Sequence, residues 1–177
     1  MTAVQITSMK NFMNKLLLSD AFDSFLLEEA VVRTASTFTI DGHINKEFFS
    51  GENTEITFLN EASANKEPPT SGRDFRPWSE MKGLCFDLIK GKRTPLFFRF
   101  VLQLMPEKAA ALLERENCDV DSSQIKALVL NIRYDGTKAV LTTGISFHTF
   151  VMSKEPDIIW DKALLKYLDG NGIEYSN

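Results

Sequence analysis

Residues 127–147 read ALVLNIRYDGTKAVLTTGISF, and this stretch decides the fold. Apolar and polar residues alternate on both sides of Asp135-Gly136, which predicts two half-buried strands. Asp-Gly between two such runs is the strongest short signal for a β-hairpin, because both residues tolerate the left-handed backbone of a tight turn. We therefore predict a hairpin whose second strand continues to Val151, with a bulge at Gly144.

A second Asp-Gly pair stands at Asp41-Gly42, after alternating residues that begin at Ala30. It predicts another strand that leads into a tight turn, followed by one or two strands in residues 43–59. A further strand is predicted at residues 96–104, where every second side chain is apolar. The chain is therefore expected to contain two Asp-Gly hairpins and a separate apolar strand.

Four segments carry apolar residues three and four positions apart, the spacing of one helix face. They are residues 9–17, 81–89, 106–113 and 157–168. Pro106 and Pro156 suit the first turns of two of these helices, and Gly91 suits the end of another. Asp20 is interpreted as the cap of a further short turn that includes Phe25.

These elements predict an α+β fold: a mainly antiparallel sheet with two Asp-Gly hairpins, packed by about four helices. The order helix, strand, Asp-Gly, strand, helix occurs twice, with Trp78 and Trp160 near the starts of the closing helices. This favours either an αββα pseudo-repeat or the ordinary reuse of such modules in α+β proteins. Residues 60–77 lack periodicity and predict a surface loop within a single domain of residues 1–177.

The composition is that of an ordinary globular protein, with 44% apolar and 25% charged residues in a chain of 177. The apolar run at residues 16–18 is too short for a signal peptide or a membrane span, so we expect a soluble cytoplasmic protein without a membrane partner. Cys85 and Cys118 are expected to be reduced thiols. Because the chain has only His43 and His148 and no paired cysteines, we predict no zinc site, with a carboxylate site for magnesium or calcium as an alternative. We also predict no cofactor.

Residues 88–100, LIKGKRTPLFFRF, set a glycine among three basic residues before a proline and an aromatic run. A phosphate-binding P-loop reads GxxxxGK[ST] and connects a strand to a helix. In this chain the first glycine is absent, Arg93 replaces the hydroxyl residue, and the predicted order is helix then strand. The structural interpretation is that Lys90, Lys92 and Arg93 stabilise the negative end of the helix dipole, with Gly91 as the cap.

The charge of the same region supports a functional interpretation. Residues 73–99 contain seven basic and three acidic residues, a net charge of +4, whereas the whole chain carries −4. Such asymmetry creates a local surface that attracts anions on an acidic protein. We therefore predict a non-enzymatic binding or interaction protein whose basic surface engages an anionic partner. The candidate binding residues are Lys90, Lys92, Arg93, Trp78, Arg133 and His148.

Three alternatives stay open at this point. A small-molecule enzyme would have a pocket between sheet and helices that gathers His148, Arg133 or Trp78. Its catalytic residues are unassigned, because adjacent strand positions point to alternating faces and do not bring a nucleophile, a base and an oxyanion hole together. Nucleic-acid binding is disfavoured by the acidic overall charge and the lack of a recognisable module. A homodimer whose function needs the assembly is the third alternative.

Several stretches are distinctive in combination. They are QITSMKNFMNKLLLSDAFDSFLL (5–27), TFTIDGHINKEFF (37–49), LCFDLIKGKRTPL (84–96), ALVLNIRYDG (127–136) and TTGISFHTF (142–150). Together they resemble a family of uncharacterised bacterial proteins that form a single domain of unknown function. The resemblance spans nearly the whole chain except the 60–77 loop. It implies a bacterial, cytoplasmic, single-domain protein and carries over no catalytic residue.

Overall fold

The computed structural model describes residues 1–50 and 72–177. This part of the chain contains eight strands, five α-helices and a short 3₁₀ helix at Ser122–Gln124. The strands are β1 (Ala3–Ile6), β2 (Phe25–Arg33), β3 (Thr37–Asp41), β4 (Arg76–Pro77), β5 (Phe97–Leu104), β6 (Ile125–Tyr134), β7 (Ala139–Phe147) and β8 (Tyr175–Ser176). The helices are α1 (Met9–Leu17), α2 (Lys46–Ser50), α3 (Trp78–Ile89), α4 (Pro106–Arg115) and α5 (Glu155–Gly170).

All eight strands belong to one open sheet. Its order is β3-β2-β5-β6-β7-β1-β8, and β4 pairs with the beginning of β2. Every pairing between these strands is antiparallel. The predicted α+β class with a mainly antiparallel sheet is confirmed, and the helix that the prediction lacks is α2.

Strands β6 and β7 form an antiparallel pair connected by residues 135–138. The predicted bulge at Gly144 is wrong, because Gly144 pairs regularly with Val129. The extra residue is Lys126, whose charged side chain is exposed and therefore needs no place in the core. The strand also ends at Phe147 rather than at Val151.

The predicted turn at Asp41-Gly42 is wrong. Residues 34–36 join β2 to β3, and β3 then runs to Asp41. The amide of Gly42 donates to the carbonyl of Glu28 at 2.8 Å, so the chain continues beside β2 instead of reversing. One Asp-Gly pair therefore follows the second strand of a hairpin and the other lies between two strands. A pseudo-repeat that equates them is not supported.

Three further segments differ from the expectation. Phe25 begins β2, opposite Leu104, because its ring packs in the core instead of in a capped turn. Lys46–Ser50 forms α2 where the alternation predicts a strand, and residues 51–59 of that prediction lie outside the described residues. Residues 60–71 of the predicted loop lie outside the described residues. At the end of that prediction, Arg76–Pro77 pairs with β2 as a two-residue strand, which tolerates a proline that has no amide hydrogen to donate.

The core lies on the face of the sheet that α1, α3 and α5 cover. Alternate residues of the central strand β5, Phe98, Phe100 and Leu102, are completely or almost completely buried. The indole N–H groups of Trp78 and Trp160 donate to the carbonyls of Leu16 and Val129, each at 2.9 Å. Both tryptophans are therefore satisfied core residues that fix helices α3 and α5 in place.

The opposite face of the sheet carries polar side chains. Arg99 donates to the carboxylate of Glu29 at 2.7 Å, and Gln103 donates to Glu28 at 2.7 Å. On the helical side the apolar stripe of α3 is less complete than predicted, since Leu84 is 49% exposed. Within the described ranges no helix combines the length and the apolar character needed to cross a membrane.

Candidate functional site

The basic loop, residues 90–93, follows the last turn of α3. The amide of Lys90 donates to the carbonyl of Phe86 at 2.8 Å and closes the helix. Gly91 has a φ of +140°, a backbone that favours glycine. Strand β5 follows after the buried Pro95. The loop thus lies at a helix C-terminus, where the dipole favours cations, and not at the helix N-terminus that a P-loop requires.

The basic loop forms one wall of a groove of about 490 Å³ between α1 and α3, which we call the α1–α3 groove. Its main apolar lining residues are Met9, Met13, Leu17, Phe86, Ile89 and Phe98. Its basic lining residues are Lys10, Lys90, Lys92 and Arg93, and none of the described Asp or Glu residues lines it. Apolar walls beside charges of one sign concentrate a positive potential in the groove.

Ion pairs use most of the positive charge of residues 73–99. The pairs are Arg73–Glu107 at 2.9 Å, Arg76–Glu80 at 2.6 Å, Lys82–Asp23 at 2.6 Å, Lys90–Asp87 at 2.8 Å and Arg99–Glu29 at 2.7 Å. Lys92 and Arg93 form no ion pair with any residue of 1–50 or 72–177. The free positive charge of the region is therefore concentrated in the basic loop.

Lys10 joins the basic loop from α1. It also forms no ion pair within the ranges that the structure describes, and it lines the groove together with Lys92 and Arg93. The sequence does not single out Lys10, because Lys10 and Lys15 both lie on the polar face of α1 and no local pattern distinguishes them. Only the packing of α1 beside α3 distinguishes the two lysines.

Of the six candidate residues, Lys90, Lys92 and Arg93 line the groove and the other three do not. Trp78 is 0% exposed, with its ring 5.2 Å from that of Phe100. It contributes to the core and presents no surface to a ligand.

Arg133 and His148 lie elsewhere on the sheet. Tyr134 lines the groove, but successive side chains of a strand point to opposite faces, so Arg133 lies on the other face with its guanidinium over the ring of Phe97 at 5.7 Å. The amide of His148 donates to the carbonyl of Gln124 at 2.9 Å, at the far end of β6. The length of β6 places His148 roughly 30 Å from the groove.

Nearly the whole chain matches one family model. The model described as "Family of unknown function (DUF5721)" matches residues 15–176. The chain belongs to this family. No curated protein and no solved structure matches it. Membership of DUF5721 agrees with the resemblance to an uncharacterised family and assigns no activity to this DUF5721 chain.

The DUF5721 chain has a second cluster of chemical interest at the start of α5. Ligand atoms of Cys118, Asp119 and Glu155 lie within 4.8 Å of one another. Glu155 accepts the amide of Asp119 at 2.6 Å, and Asp119 accepts the hydroxyl of Ser153 at 2.8 Å. Burial raises the pKa of the Cys118 thiol, the two carboxylates raise it further, and a hydrogen bond from the backbone of Val120 opposes them. These contacts account for the cluster as local capping of the chain before α5.

Proposed function

We propose that this DUF5721 protein is a non-enzymatic binding protein that holds an anionic partner in the α1–α3 groove. The observation that carries the proposal is the cluster of Lys10, Lys92 and Arg93, which form no ion pair in the described part of the chain and surround a groove without a described acidic lining residue. Lys90 stands beside them and shares its charge with Asp87.

The position of Lys10 separates this proposal from a purely structural explanation. The dipole of α3 favours the cations of the basic loop, each by about 0.3–1 kcal/mol. Lys10, however, is the second residue of α1, at the end where the helix dipole disfavours a cation. The helix dipole therefore explains the positions of the three cations of the basic loop. It does not explain the position of Lys10, which a bound anion would stabilise.

Three probes of different anion classes test the proposal: heparin, inorganic phosphate and decanoate, each titrated into the protein by calorimetry. We expect at least one to bind with an affinity that falls as salt is raised, because the cations are close to solvent. The triple variant Lys10→Ala/Lys92→Ala/Arg93→Ala is expected to bind that probe at least about tenfold more weakly, since it loses several charge-assisted contacts.

A matched control removes three positive charges outside the groove, at the exposed residues Lys126, Lys154 and Lys162. The variant Lys126→Ala/Lys154→Ala/Lys162→Ala has the same net charge as the groove variant and should keep most of the affinity. Equal losses in the two variants would mean that only net charge matters. Absence of binding to all three probes would contradict the proposal outright.

We also propose the setting in which this binding occurs. All eight described strands join one sheet, which supports a single domain across residues 1–177. The two cysteines, Cys85 and Cys118, are free thiols, which supports a reducing compartment such as the bacterial cytoplasm.

A further inference from the structure

We infer that the anionic partner is a monomeric, single-chain fatty-acid anion, with its carboxylate at Lys10, Lys92 and Arg93 and its hydrocarbon chain on the apolar floor of the α1–α3 groove. The inference rests on the proposed function and names its ligand. Four properties of the groove support it: the polarity of its lip, its open apolar surface, its size and the small extent of its positive charge.

Two rows of side chains, from α1 and from its C-cap residue Leu18, line the groove with four-residue spacing. The inner row is Met9, Met13 and Leu17, and the outer row is Lys10, Asn14 and Leu18. Along the outer row the side chains change from a cation to an amide to a leucine that is 58% exposed. Leu18 lies eight positions after Lys10, which corresponds to a rise of about 12 Å at helical spacing. The lip of the groove is therefore charged at one end and apolar at the other, which matches an amphiphile.

Much of the apolar lining is open to solvent. Leu18 is mostly exposed, and Met9, Met13, Phe86 and Ile89 are half-buried. A hydrocarbon chain that covers this surface is stabilised in proportion to the apolar area removed from water. Two of the residues are methionines, whose unbranched side chains adapt to chains of different shape.

The size of the groove and the extent of its charge favour one small molecule over a polymer. The volume of about 490 Å³ lies within the range of about 300–1,000 Å³ that is usual for small-molecule sites. A polyanion would need a continuous positive surface, whereas the basic residues that flank the loop, such as Lys82 and Arg99, are paired with carboxylates. The available charge suits one anionic head group.

Chain length is the first test. Butanoate, hexanoate, octanoate and decanoate are titrated into the full chain below the concentration at which they form micelles. We expect the dissociation constant to fall by about fourfold for each added methylene that the groove covers. Decyltrimethylammonium has the opposite charge and a hydrocarbon chain one carbon longer than that of decanoate, and we expect it to bind at least about tenfold more weakly.

Variants then separate the head group from the chain. Leu18→Gln makes the apolar end of the lip polar, and Met13→Gln makes the floor polar. We expect each to weaken decanoate at least about fivefold while butanoate is unaffected. Lys10→Ala/Lys92→Ala/Arg93→Ala should weaken both acids by the same factor. Leu84→Gln is the matched control, because Leu84 is an exposed leucine of α3 that does not line the groove, and it should change neither.

Methionine methyl groups locate the bound chain directly. In protein labelled with ¹³C at the methionine methyls, decanoate should shift the signals of Met9 and Met13, which line the groove. The signals of Met105 and Met152 should not move; Met152 is 86% exposed and would report non-specific coating by the amphiphile.

The outcomes distinguish this inference from the proposed function. If heparin or phosphate binds through Lys10, Lys92 and Arg93 while decanoate binds no better than butanoate, the ligand assignment is overturned and the proposed function stands. If decyltrimethylammonium binds as tightly as decanoate, or if the Met9 and Met13 signals do not respond to decanoate, the assignment is likewise overturned. If no anion binds, both fail.

Discussion

The two Asp-Gly pairs of this chain share a sequence and differ in structural role. Gly136 lies in the connection between β6 and β7 with a φ of +97°, a backbone that glycine adopts without steric penalty. Gly42 follows β3, and a Cβ added to it would lie 1.8 Å from the carbonyl oxygen of Leu27. One glycine is needed for its backbone conformation, and the other for the absence of a side chain.

The aspartates of the two pairs behave more alike than the glycines. Asp135 accepts hydrogen bonds from the amides of Thr137 and Lys138, both at 3.0 Å. Asp41 accepts from the amide of His43 at 2.9 Å and from its ring Nδ1 at 2.6 Å. In both pairs the aspartate side chain accepts hydrogen bonds from the amides that follow it. The surrounding structure determines whether the glycine is needed for a positive φ or for close packing.

The largest effect is expected for Gly42→Ala. Because a methyl group cannot share the space of the Leu27 carbonyl, the segment after β3 has to move, and we expect a loss of about 3 kcal/mol or more in the free energy of unfolding. Urea unfolding measures it. The matched control is Gly83→Ala, in the middle of α3 with nothing within 4 Å of the added Cβ, which should stabilise the protein by about 0.5–1 kcal/mol. A loss below about 1 kcal/mol for Gly42→Ala would remove the packing role of Gly42.

The same contrast shows how far the sequence predicts the fold. Hydrophobic period alone identifies α1, β5 and β6, because each element buries one face. The sequence misplaces the turn between β2 and β3, because Asp41-Gly42 is a stronger local turn signal than residues 34–36. In the structure, pairing of β2 with β5 determines where β2 ends. The close approach of Gly42 to Leu27 is a tertiary contact that a local pattern does not contain.

A smaller effect is expected for Gly136→Ala. The positive φ strains any L-residue, and the added Cβ would lie 3.1 Å from the carbonyl oxygen of Leu96. We expect a loss of about 1–2 kcal/mol, measured by urea unfolding. Gly136→Asn should cost less than Gly136→Ala, because asparagine tolerates the left-handed region. Equal costs for Asn and Ala would mean that contact with Leu96, rather than φ, determines the requirement.

The next effect depends on pH. The backbone hydrogen bond from Lys138, followed by the hydroxyl and amide of Thr137, lowers the pKa of Asp135 from 3.8 to about 2. Because this pKa is lower in the folded than in the unfolded protein, the ionised carboxylate stabilises the fold at pH values above the unfolded pKa. This stabilisation is lost as the pH falls through the folded pKa. We expect Asp135→Asn to be less stable than the wild type near neutral pH, and the difference to disappear as pH falls from 3.8 to about 2. Thermal unfolding across this range measures it, and a difference that does not change with pH would contradict the charge-assisted cap.

The sequence predicts those residues of the candidate site that are neighbours along the chain. Lys90, Lys92 and Arg93 follow one another after α3, so their charges stay together in any fold that keeps this loop. Lys10 lines the same groove because α1 packs beside α3, and a local sequence pattern does not contain that packing. The alternation of strand side chains already indicates that Arg133 and Tyr134 point to opposite faces, so the separation of Arg133 from the groove could have been inferred from β6 alone.

The smallest effect is expected for Asp41→Asn. The backbone hydrogen bond from His43 is the main cause of the lowered pKa of Asp41, with the ring of His43 second, so one residue supplies both donors. Asp135 instead accepts hydrogen bonds from two successive residues, Thr137 and Lys138. We therefore expect Asp41→Asn to lower the free energy of unfolding less than Asp135→Asn does. The pH dependence has the same sign, with the difference from wild type present above pH 3.8 and lost below it. Amide hydrogen exchange offers a local measurement, since His43 should exchange faster in Asp41→Asn while Thr137 is unchanged. If Asp41→Asn instead destabilised the protein more than Asp135→Asn, the cap before Gly42 would be holding β3 against Leu27, and aspartate and glycine would act there as one unit.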